Sequence, residues 1–162
     1  MRREQKGTCA SYAQELRALT AVCGIDCFNC EFFHTNVDAF FARLPSEKRA
    51  AFAARGMTID KVRCQGCRKS GCTAIQGECE TLACATEHNV EFCFECKDFP
   101  CARLQPLVQG AERVPHNLKV YNLCAIKNRG VDAWAAESSD IRRRYFTGGF
   151  KIGAGPQDSD DQ

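Results

Sequence analysis

The chain has 162 residues, 13 of them cysteine, and a formal net charge of +2. That length fits one domain with ragged ends. The near-neutral balance argues against nucleic acid as a partner, because binding it normally needs a basic face. No block of roughly twenty apolar residues occurs, so no membrane span is expected.

Residues 1–20 read as an N-terminal extension, with one or two helical turns from Tyr12 to Leu19. No apolar stretch of signal-peptide type interrupts them, so a cytoplasmic, reducing location is expected. Thirteen cysteines there point to metal and away from disulfides, and an odd count fits the same reading. Cys9 reads as a bystander in the extension.

The main domain is expected over residues 21–146. After a first cysteine group, Asn36 is placed to cap a short helix through Leu44. Ser46 is placed to open a second, alanine-rich helix that stops at Gly56. Phe40, Phe41 and Phe52 are its expected inward contacts. Residues 63–101 form a cysteine-dense centre broken by Gly66, Gly71 and Gly77, with one short helix from about Glu80 to Glu87. Farther on, the spacing predicts a helix from His116 to Arg129, with Val120, Tyr121, Leu123 and Cys124 on one arc, stopped by Gly130. A second helix is predicted from Asp132 to about Tyr145, anchored by Trp134. The run Arg142-Arg143-Arg144 reads as a solvated helix face. Residues 147–162 read as a flexible, irregular tail. The expected fold is a small metal-stabilised α+β/irregular domain: a cysteine-knuckle centre, short helices and a C-terminal helical pair.

Eleven cysteines fall between Cys23 and Cys101. They are Cys23, Cys27 and Cys30 (C-x3-C-x2-C), followed by Cys64, Cys67, Cys72, Cys79, Cys84, Cys93, Cys96 and Cys101. Cys64-Gln65-Gly66-Cys67 and Cys93-Phe94-Glu95-Cys96 have zinc-knuckle form. Two intervening residues let both sulfurs reach one ion at about 2.3 Å. All eleven are candidate ligands for two or three Zn2+ ions. Eleven does not divide into fours, so His34, His88, His116 or Cys124 is available to complete a site. An iron–sulfur cluster in a redox or electron-transfer protein is the alternative. C-x3-C-x2-C is also the spacing of radical S-adenosylmethionine enzymes. Asn29 before the third cysteine and the lack of a strand–helix barrel pattern argue against that assignment. No catalytic constellation stands out. The reading is an interaction module with structural zinc, its partner a protein or a small ligand.

Three stretches carry a family resemblance: Cys-Gly-Ile-Asp-Cys-x-x-Cys at 23–30, Cys-Gln-Gly-Cys-Arg at 64–68, and the block from Gly71 to Cys101 with its Glu-Phe-Cys-Phe-Glu-Cys-Lys-Asp-Phe-Pro-Cys run. Over roughly residues 21–136 the chain resembles the prokaryotic family known as domain of unknown function 3795. The resemblance implies a small metal-binding, zinc-type domain without an established activity. Some members carry a further cysteine pair after the tryptophan helix, and this chain has none there.

Overall fold

A computed structural model describes residues 4–73, 78–110 and 116–159, with only the backbone for residues 4–10 and 116. Ile75, Gly77, the Cys9 and His116 side chains and the last three residues therefore lie outside the described residues. The protein is a small, mostly helical domain with a single two-stranded sheet among the described residues. The helices are α1 (Glu4–Ala18), α2 (Val37–Arg43), α3 (Ser46–Ala54), α4 (Ile59–Val62), α5 (Cys67–Ser70), α6 (Glu80–Glu87), α7 (His116–Arg129) and α8 (Val131–Thr147). Three 3-10 turns, Cys27–Asn29, Cys93–Glu95 and Ala102–Leu104, complete the cysteine-rich part. No helix among the described residues is long and apolar enough to cross a membrane.

Two separate apolar clusters form. Leu16, Phe92, Leu104, Leu118, Leu123, Ile126, Val131, Trp134 and Ile141 make the larger one, and Cys23, Cys93 and Cys101 pack against it. Val37, Phe41 and Val62 make the smaller, with Phe32, Phe40 and Phe52 around them in edge-to-face contacts. Phe40, Phe41 and Phe52 are the inward contacts that the sequence predicts.

The C-terminal pair forms as predicted. Gly130 separates the two helices at φ +83°, and Trp134 is fully buried. The buried face of α7 differs from the expected arc, however. It is Leu118, Asn122, Leu123, Ala125 and Ile126, while Tyr121 stays 55 % exposed. A polar residue occupies a fully buried position because the Asn122 side-chain amide donates to the Gly24 carbonyl at 2.8 Å. Apolar periodicity does not register such a residue.

Both ends of the chain are more regular than expected. The extension forms the 15-residue helix α1, whose Leu16 enters the main core. The glycine-rich end forms an antiparallel hairpin, β1 (Gly149–Lys151) with β2 (Gly155–Gln157). Glycine at 148 permits its close approach to α8, since a Cβ there would fall 2.0 Å from the Gln157 carbonyl oxygen.

The basic run on α8 also departs from a solvated face. Arg143 is exposed and pairs with Asp140 and Asp158. Arg142 turns inward, 13 % exposed, between Glu31 and the buried Asp26 carboxylate, which is 3.3 Å away. Removing one member of a buried ion pair leaves the other charge uncompensated, at a cost of about 3–5 kcal/mol. Arg142→Ala, which strands the buried Asp26 carboxylate, should therefore lower the unfolding free energy by about that amount in denaturant titrations. Arg143→Ala should change it by less than about 1 kcal/mol. Equal effects from the two substitutions would remove Asp26–Arg142 as a special contact.

Candidate metal centres

Two backbone pairings bring distant cysteines together. The Cys93 N–H donates to the Val22 carbonyl at 2.9 Å, which sets Cys93 beside Cys23. The Cys64 N–H donates to the Phe32 carbonyl and the His34 N–H to the Cys64 carbonyl, each at 2.8 Å, so Phe33 and Cys64 form a short parallel bridge. Without any long strand, the chain thus hangs both knuckles on the segment that carries Cys23, Cys27 and Cys30.

The first sulfur group gathers around Cys27. The thiol and backbone N–H of Cys67 both donate to the Cys27 sulfur, the latter at 3.5 Å, and Cys72 lies next to both. These donors hold the Cys27 thiol below its ordinary pKa, whereas Cys67, which gives up its proton only against that neighbouring charge, is raised. The Cys64 sulfur sits on the same loop, accepting from the Gly66 N–H at 3.2 Å and lying 3.6 Å from the Gly71 carbonyl. Cys30 lies near Cys27 and Arg142, and burial pushes its thiol up to about 11.

The second group gathers around Cys93, whose charge neighbours are Cys23, Cys101, Cys84 and Cys96. Cys79 faces Cys23. Burial raises the Cys23 thiol to about 11 and Cys93 to about 12, the latter helped by the adjoining cysteines. Cys84, Cys93, Cys96 and Cys101 line one side of a cleft of about 620 Å³ that also includes His88 and Asp98. Cys67 and Cys72 therefore lie near Cys27, and Cys23, Cys84, Cys96 and Cys101 near Cys93, while Cys23 neighbours Cys27 as well as Cys79 and so stands between the two groups. Cys124 is half-buried on α7, His34 is exposed, and His88 caps the C-terminus of α6.

The residues that hold these turns in shape were not singled out from the sequence. The Asn36 amide, expected to cap α2, instead donates to the carbonyls of Phe28 and Cys30, both at 2.9 Å. Asn29 donates to Asp26 at 3.0 Å and to Ser138 at 2.9 Å. The Arg68 guanidinium donates to the Thr20 carbonyl at 2.7 Å and the Glu91 carbonyl at 2.6 Å. It also covers the Phe92 ring at 4.9 Å, so it ties the first sulfur group to the second. Asp26 and Arg68 lie inside the cysteine motifs themselves, and that position is the signal that could have found them.

Residues 19–106 match the family model described as protein of unknown function DUF3795. The match spans more than half of the chain, and the chain belongs to that family. No curated protein and no solved structure matches it.

Gly24 is the most constrained position of the first motif. Its φ is +81°, and a Cβ there would lie 3.0 Å from Leu123 Cγ and 3.1 Å from the Lys119 carbonyl oxygen. The left-handed conformation alone costs a side-chain-bearing residue about 1–3 kcal/mol. Gly24→Ala should accordingly destabilise the protein by at least about 1–3 kcal/mol in denaturant unfolding. Gly71→Ala shares the positive φ but meets no atom within 4 Å, so it should cost less. The reverse order would mean that α7 does not constrain this turn.

Proposed function

We propose that this DUF3795 protein is a zinc-binding interaction module in which thiolate-held ions are structural and the partner is a protein or a small ligand. The observation that carries the reading is that cysteines from sequence-distant segments lie close together, Cys67 and Cys72 near Cys27, and Cys23, Cys84, Cys96 and Cys101 near Cys93. Zn2+ suits the donor set, since four thiolates close a tetrahedral site and need no redox change. Cys27, Cys64, Cys67 and Cys72, with Cys30 adjoining, are the proposed ligands of the first centre. Cys23, Cys79, Cys84, Cys93 and Cys101 supply the second, with Cys96 at its outer edge. A reducing, cytoplasmic setting keeps these thiols available. The near-neutral charge favours a protein or small-ligand partner over nucleic acid.

Protein purified under reducing conditions should contain at least two zinc ions per chain by elemental mass spectrometry. A brown product rich in iron and sulfide would instead establish an iron–sulfur protein. Cys64→Ser, Cys67→Ser and Cys93→Ser should each strongly destabilise the fold, and Cys9→Ser should not. A structural zinc ion contributes roughly 10–16 kcal/mol of apparent binding energy. That compares with a net domain stability of about 5–15 kcal/mol. All three knuckle variants melting like the parent would reduce these cysteines to packing.

Proton release gives a second check. Thiols held near pKa 11 to 12, such as Cys23 and Cys93, are protonated at pH 7 before an ion arrives. Binding must expel those protons, so affinity should rise with pH and the ion should leave on acidification. Calorimetry in buffers of different ionisation enthalpy should count at least two protons released per zinc. Release of none would exclude thiolate coordination.

A further inference from the structure

The second sulfur group has more donors than one tetrahedral ion uses, and its outer edge carries donors of a different kind. A nitrogen of His88, the Cys96 sulfur and a carboxylate oxygen of Asp98 lie within 4.8 Å of one another. We infer that these three side chains form a separate, open site for a borderline divalent cation of the Zn2+ type, with its fourth position facing the cleft. The inference rests on the zinc reading above only in leaving the remaining sulfurs of this group to a thiolate-held ion.

The histidine is set up for this role. His88 Nδ1 lies 2.8 Å from the Cys84 carbonyl oxygen, one helical turn back. A carbonyl only accepts, so Nδ1 carries the proton and donates it, which leaves the Nε2 lone pair for a metal. Metal-binding histidines characteristically anchor their second nitrogen in this way. The 3-10 turn at Cys93–Glu95 and the three residues after it then present Cys96 and Asp98 on the same side. Metal–ligand bonds of about 2.0–2.3 Å put tetrahedral ligand atoms roughly 3.3–3.8 Å apart. Small side-chain rotations therefore close the observed spacing.

Exposure distinguishes this site from the thiolate groups. His88 and Asp98 are exposed, whereas the cysteines of the second group, Cys96 among them, are half-buried and Cys27 and Cys64 are buried. Three protein ligands beside an open cleft of about 620 Å³ leave room for water as the fourth ligand. A closed structural ion has four protein ligands, and an exchangeable or reactive one keeps a position open. An ion at this edge should accordingly exchange with solution faster than those held by buried sulfurs.

The test compares zinc content and exchange in the full-length protein with those of His88→Ala and Asp98→Asn. Both side chains are exposed, so both variants should fold and melt close to the parent. Each variant should lose one equivalent of zinc and keep the rest. In the parent, dialysis against a weak chelator should remove the same single equivalent first. Replacement with Co2+ should show a mixed sulfur–nitrogen–oxygen component in the visible spectrum that both variants lack. Parental zinc content with an unchanged Co2+ spectrum in both variants would overturn the site. Should the purified protein hold no thiolate-bound metal, the broader reading falls and direct Zn2+ titration decides this site by itself. One equivalent bound by the parent and lost in His88→Ala sustains it, and no binding overturns it.

Discussion

The Asp26 carboxylate, 1 % exposed, meets Arg142 from α8 on one side and Asn29 from its own turn on the other. Burial raises its pKa and the Arg142 guanidinium opposes that rise. The contact has a geometric consequence. It fixes the turn between Cys23 and Cys30 against a helix more than a hundred residues later in the chain. Phe28, in the same turn, packs edge-on against Trp134 at 6.1 Å. One ion pair and one aromatic contact thus join the cysteine-bearing turn to the most regular part of the molecule. The Asn122 bond to the Gly24 carbonyl adds a third attachment from α7.

Little else orders the cysteine-rich half. Its helices are short, α4 and α5 having four residues each, and no named strand crosses it among the described residues. Isolated helices of that length do not form in water, because nucleation costs more than a few hydrogen bonds return. Their shape must come from side chains and cross-links. Arg68 is one such side chain, bridging Thr20 and Glu91 while covering Phe92. Arg17 approaches the same ring at 5.4 Å and pairs with Glu91. On the zinc reading the ions supply the remaining cross-links, which explains how so few aliphatic side chains suffice between the two apolar clusters.

Sequence patterns gave a good account of the elements that rest on local rules. The helices at Glu80–Glu87 and His116–Arg129 have the expected ends, and glycine at 56 and 130 stops or separates helices as expected. The phenylalanine cluster around α2 and α3 was legible too. What failed depended on partners far along the chain. Arg142 reads as solvated when only its neighbours Arg143 and Arg144 are considered, and Asp26 becomes its partner only once the chain has folded back. Asn122 looks like an exposed position on an apolar helix until the Gly24 carbonyl is placed beside it. The N-terminal helix has no strong amphipathic pattern, and among its described side chains Leu16 alone enters the core. The hairpin is written in glycines, which mark turns and tails alike.

The same limit applies to the cysteines, where spacing identifies ligands but not their grouping. Read locally, C-x3-C-x2-C invites one ion or one cluster for all three sulfurs. In the fold, the Cys93–Val22 bond draws Cys23 toward the larger apolar cluster, while the Cys67 thiol and N–H reach Cys27. Three residues separate Cys23 from Cys27, and Gly24, with its positive φ, turns the chain between them. The two sulfur neighbourhoods share a short and tightly packed connection. On the zinc reading, a shift of Cys23 that accommodated an ion would move the Asp26 turn, and with it Cys27. Asp26 and Asn36 oppose such motion, the first through Arg142 and the second through the Phe28 and Cys30 carbonyls. The polar residues of the first motif therefore stiffen the turn that joins Cys23 to Cys27.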